Sequence, residues 1–212
     1  MRSVLVASVG LALLLPACGE KMPTLPEDAV DRAATCGVVA AALQREKAGV
    51  KGELPAEAQE GIFHYALLAG SEGAEFDSGR ANAVFQRMPG LFDSTIKGKW
   101  QVLRPACATA YSATVNSAPK LPAGRLDHAL QCYVLVDFLR KAFGSQGGSY
   151  AEASMKLGVL GTKLDAKVSP MLKAAGVGNG DALQKKRNEA LAAVARLGQP
   201  QAVIKACAAD YG

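Results

Sequence analysis

Ala106-Cys107-Ala108-Thr109-Ala110-Tyr111 and Ala206-Cys207-Ala208-Ala209-Asp210-Tyr211 are two copies of one pattern, Ala-Cys-Ala-x-x-Tyr, the second just before the C-terminal Gly212. A second echo lies upstream of each. Asp31 precedes Cys36, which is followed by Val38, Val39 and Leu43; Asp127 precedes Cys132, followed by Val134, Leu135 and Leu139. The order is the same in both halves, and the cysteines of each half stand nearly the same distance apart. Such self-similarity predicts duplication of a unit of roughly 85 residues, with repeats at 27–116 and 125–212 joined by a Pro-containing linker at 117–124. The middle of each half aligns poorly, so the reading rests on the two ends.

Half of the 212 residues are apolar and 6% are aromatic. The apolar residues are mostly Ala, Val and Leu, no long β-branched run alternates with period two, and an all-α fold is expected. Four to five short helices are predicted in each half. In the first they run from Glu27 to Ala48, from Pro55 to Gly70, from Gly79 to a stop at Met88-Pro89-Gly90, and from Leu91 to Tyr111 with Pro105 kinking or splitting the last. In the second they run from Arg125 to Phe143, from Tyr150 to Val168, briefly from Pro170 to Ala175, from a cap at Asp181, and from Pro200 to Tyr211. Tyr133 to Leu139 is apolar nearly all round, which predicts the most buried helix of that half.

Residues 1–17 carry Arg2 and then an apolar run from Val4 to Leu15, which reads as an export signal too short for a permanent membrane span. Leu15-Pro16-Ala17-Cys18 resembles the lipobox of bacterial lipoproteins, although Pro16 stands where a small or aliphatic residue is usual. The resemblance covers the first eighteen residues only. It implies a diacylglyceryl-modified Cys18 as the mature N-terminus, with 18–26 as lipidated end and tether. Gly19, rather than Asp, implies sorting to the outer membrane under the enteric rule. The expected location is the bacterial cell envelope, facing the periplasm, with the membrane reached through the lipid.

With Cys18 assigned, four cysteines remain in a chain bound for an oxidising compartment. Three pairings are open, and the duplication selects Cys36–Cys107 and Cys132–Cys207, since each ancestral unit would close on itself. Each bridge then locks the first helix of a half to its last. No Cys-x-x-Cys or close Cys/His pair suggests a metal site, and no cofactor motif is present.

Two histidines limit catalytic readings. His64, one turn after Glu60, is expected to be an exposed or half-buried helix residue bonded to Glu60. His128 adjoins Asp127, but neighbours on a helix diverge, so a solvent-facing polar site is expected. Asp137 is the one charge in the Tyr133–Leu139 run and should pair with Arg140 or Lys141. Trp100 should plug a core or interface. Residues 18–122 hold 11 basic and 12 acidic side chains and residues 123–212 hold 12 and 7, so the second half carries the positive excess. Lys156, Lys163, Lys167, Lys173, Lys185, Lys186 and Arg187 form a possible basic binding face. Nucleic acid is not expected as a partner of an exported protein; phospholipid headgroups and acidic polymers are. The expected role is a non-catalytic lipoprotein, a binding or accessory module for a protein or an acidic envelope component. The alternatives are a periplasmic hydrolase of envelope polymer and an inhibitor or immunity-type protein.

Overall fold

The structure, a computed structural model, describes residues 23–212, so the export segment and Cys18 lie outside the described residues. The described chain is helical throughout its regular elements: α1 (Ala29–Ala48), α2 (Ala56–Gly70), α3 (Ser78–Ile96), α4 (Arg104–Ala110), α5 (Arg125–Gly144), α6 (Ala151–Ala174), α7 (Gly180–Ala195) and α8 (Pro200–Tyr211), with short 3-10 turns before and after α4 and before α6. Asp28 caps α1, its Oδ1 accepting from the Asp31 amide at 2.9 Å, which satisfies one of the donors that a helix start leaves open. Gly49 ends α1 at φ 65°, a left-handed position suited to glycine.

Cys36 of α1 bonds Cys107 of α4 across 71 residues, and Cys132 of α5 bonds Cys207 of α8 across 75. Both bridges join the first and last α-helices of a run of four. All four cysteines are buried, at 3% exposure or less.

Three boundaries differ from the sequence expectation. α3 continues through Pro89 and Gly90, because both sit on its solvent side while Val84, Phe85, Met88 and Leu91 pack inward. On that side water can donate to the carbonyl that proline's missing N–H leaves open, and the buried contacts outweigh the local breaker. The break falls instead near Gly98, and Pro105 lies at the start of α4, where a missing N–H costs nothing. α6 likewise runs through Pro170, also exposed. Asp181 lies in the first turn of α7 rather than at its cap, which is Asn179.

α5 is the most buried helix of the C-terminal four, as its apolar run predicts. The larger surprise is α2. Tyr65, Ala66 and Ala69 face the core of α1, α3 and α4, while Phe63 and Leu67 enter the core built from α5 to α8. Phe63 meets Phe143 edge-on at 5.2 Å. Hydrogen bonds sew the same seam: Tyr150 Oη donates to Leu54 O at 2.8 Å, the Phe76 amide to Asn188 O at 3.1 Å, and Arg196 to the carbonyls of Ser71 and Gly73. Asn116 Nδ2 donates to Leu197 O at 2.6 Å and the Gln199 amide to Asn116 O at 2.8 Å. Gly198 lies against that asparagine at φ 158°, where an added Cβ would stand 2.6 Å from Asn116 O. α2 therefore contributes to the buried cores on both sides of it and joins the two halves.

A 75-residue closure should stabilise the fold by about 4 kcal/mol through the unfolded chain. Urea unfolding of the Cys132→Ala/Cys207→Ala variant is expected to show a loss of that order. A loss below about 1 kcal/mol would mean that the bridge adds little constraint.

Candidate functional site

The seam leaves a cleft on each side. The first, about 600 Å³, opens between α1, α2, α4 and the start of α8, with His64, Tyr65 and Cys107 in its wall and Lys47, Glu57 and Arg104 among its charged lining. The second, about 620 Å³, opens between α3, α5 and α7.

His64 is the one histidine at a cleft, and its chemistry is already committed. It is 1% exposed, not half-exposed as its helical position suggested. Its Nε2 donates to Ala195 O at 2.8 Å, not to Glu60. That carbonyl closes α7, where no intrahelical donor follows, so the imidazole satisfies a helix end 131 residues away. Burial, only partly opposed by that hydrogen bond, lowers its pKa to about 4 and keeps the ring neutral. Sequence reasoning missed this because the acceptor belongs to a distant turn. The signal was the run Ile62 to Ala69, apolar nearly all round like Tyr133 to Leu139, which marks a helix buried on every side.

His128, on α5, has other partners, its Nε2 3.1 Å from Asp210 Oδ2 and its ring edge-on to Tyr211 at 5.5 Å. The two histidines do not converge. Among the described residues no group of three His, Cys, Asp or Glu side chains could hold a metal ion, and no helix is long and apolar enough to cross a membrane. Trp100 is buried against Val39, Ala42 and Leu103.

The second cleft is chemically open. Phe85, Tyr133 and Phe138 line it half-buried, with Phe76 edge-on to Phe138 at 5.7 Å. These rings leave apolar surface facing a concavity instead of a neighbouring helix. Its polar lining comes from α3, α5 and α7. Arg187 spreads its guanidinium over the Tyr133 ring at 5.3 Å, a cation–π arrangement, and Gln184 donates to Asn188 at 2.9 Å. Asp137 pairs with both expected partners, Arg140 at 2.9 Å and Lys141 at 2.7 Å. Burial alone would raise its carboxyl, but the hydrogen bonds and charges of Lys141 and Arg140 together hold it below its ordinary value.

The seven residues of the basic face are not brought together as one patch. Lys156, Lys163, Lys167 and Lys173 project from α6, and Lys185, Lys186 and Arg187 belong to α7. Lys156 pairs with Glu152 at 2.7 Å and Lys186 with Asp127 at 3.1 Å. Only Arg187 enters the aromatic cleft.

The chain matches no protein-family model, and no curated protein or solved structure shows significant similarity to it.

Two groups on α2, the buried His64 and the half-buried Glu60, set a distinctive acid response. Burial, with Glu57 adding to it, raises Glu60 to about 7, and one of its carboxylate oxygens is enclosed without a partner. A raised carboxyl costs stability as pH climbs from 4.5 to 7; a lowered histidine costs stability as pH falls from 6.5 to 4. Across their overlap the slopes oppose and this pair should leave stability nearly flat. Glu60→Gln removes one slope, so its stability relative to the parent should increase with pH by about 1.4 kcal/mol per unit through the overlap. Parallel stability curves for parent and variant would contradict the two assignments.

Proposed function

We propose that this chain is a lipid-anchored, periplasm-facing protein of the bacterial envelope, built from two copies of a four-helix unit, and that it serves as a non-catalytic binding module for a protein partner. The lipid is carried by Cys18. The two-unit reading is supported by bridges of nearly equal span and by a shared arrangement at their ends. Four residues before the first cysteine of each half, Arg32 and His128 approach the tyrosine four residues after the second. Arg32 offsets the burial that raises Tyr111, and His128 meets Tyr211 edge-on. Two buried disulfides suit an oxidising compartment.

The observation that carries the binding role is the aromatic cleft between α3, α5 and α7. Its half-buried rings would take an apolar side chain of the partner, and Arg187 would face an acidic group beside it. Rigid walls lower the entropy lost on binding, and here those walls come from both halves. A catalytic role draws less support, since His64 is occupied and neutral and His128 stands apart.

Two measurements bear on this reading. Cys18→Ser should move the protein from the membrane fraction to the soluble periplasm, and unchanged retention would argue against the lipid anchor. A benzophenone photocrosslinker in place of Phe138 should give a discrete adduct in native envelopes, one that Arg187→Glu abolishes and a crosslinker at exposed Ala110 does not give. Equal labelling from both positions, or none from Phe138, would reject the cleft as the contact.

A further inference from the structure

α6 is the longest helix of the described chain, at 24 residues. α2 is buried on both faces, whereas α6 buries a single stripe, Leu157, Leu160, Leu164, Val168 and Leu172, against α5 and its neighbours. Its opposite face is open. Met155 and Val159 are 65% and 63% exposed there and lie one turn apart. Thr162 and Ala166, also exposed, continue their line at the spacings i+7 and i+11. Elsewhere in the described chain only Val115 is an equally exposed large apolar side chain, and it stands alone on a 3-10 turn.

Beside this apolar line runs a row of cations. Lys156, Lys163 and Lys167 project along one edge, and Lys173 ends the line itself. Lys163, Lys167 and Lys173 form no ion pair among the described residues. Of the carboxylates on the helix, Glu152 is held by Lys156 and Asp165 accepts from Ser169 at 3.1 Å. An exposed apolar line flanked by lysines is the pattern of a helix lying in the interface of a bilayer: the apolar side chains enter between headgroups while the ammonium groups meet phosphates.

We infer that the outer face of α6 docks on an anionic phospholipid surface, with Met155 and Val159 entering the headgroup layer and Lys156, Lys163, Lys167 and Lys173 against its phosphates. The occupant is a lipid surface and not a soluble polyanion, because a polyanion would leave the two apolar side chains in water. Two modest side chains and a few lysines give weak binding on their own. A lipid tether on the same molecule makes that contact intramolecular and so sufficient to orient the body. The inference rests on the proposed anchor for its place in the cell and for the strength of the contact there, not for the surface that makes it.

The test uses the full mature chain carrying Cys18→Ser, so that no acyl chain contributes. Co-sedimentation is measured with vesicles of phosphatidylglycerol mixed into phosphatidylcholine and with pure phosphatidylcholine vesicles, at low and at moderate salt. Binding is expected to the anionic vesicles only, to weaken with salt, and to fall more than tenfold in Lys163→Glu/Lys167→Glu. Met155→Gln/Val159→Gln should lower it several-fold with all charges kept, and circular dichroism should show both variants as helical as the parent. No binding to anionic vesicles at low salt, equal binding to neutral ones, or full binding by the Met155/Val159 variant would each overturn the proposal. Because the acyl group is absent throughout, none of these outcomes depends on whether Cys18 is lipidated in the cell.

Discussion

A helix whose C-terminal half has no solvent face ties this molecule together. Along α2, side chains from Ile62 to Leu67 are all buried, and no single four-helix unit could enclose them. Tyr65, Ala66 and Ala69 need α1, α3 and α4; Phe63 and Leu67 need the core closed by α5, α7 and α8. Exposing the second set would return two large side chains to water at about 2 kcal/mol each. It would also break the His64 bond to Ala195 and leave a helix end without its donor. The halves are thus held in one arrangement, and the clefts beside α2 inherit their shape from it.

The disulfides act on a different scale. Each constrains the unfolded chain and fixes one helix pair, but neither crosses the midpoint. Communication between the halves falls to α2, to the loop Ser71 to Asp77 laid along α7, and to Asn116 wedged beside Gly198. A protein assembled this way can keep its bridges closed and still depend on apolar burial for the surface it offers a partner.

How much of this is legible in the sequence follows from the range of each interaction. The bridges are legible because two copies of one ending and two copies of one beginning leave a single self-consistent pairing. α5 is legible because an apolar run of seven positions with one charge admits only a buried helix, and Asp137 finds the cations one turn away that its spacing promises. Pro89-Gly90 misleads because the inward contacts of Val84, Phe85, Met88 and Leu91 outweigh this local breaker, which a local reading cannot weigh. His64 misleads because its acceptor is 131 residues distant. The aromatic cleft is not legible at all: Phe76, Phe85, Tyr133 and Phe138 come from three separate segments, and no spacing relates them.

Trp100 offers a direct check, since the only tryptophan sits in the N-terminal half, against α1, while helical circular dichroism reports the whole chain. In urea, with both disulfides intact, the account predicts that Trp100 fluorescence and far-ultraviolet dichroism trace one coincident transition, because neither half can keep its core without α2. Separate midpoints for the two signals would show that the halves unfold independently, and the shared interior would then not be what holds the protein together.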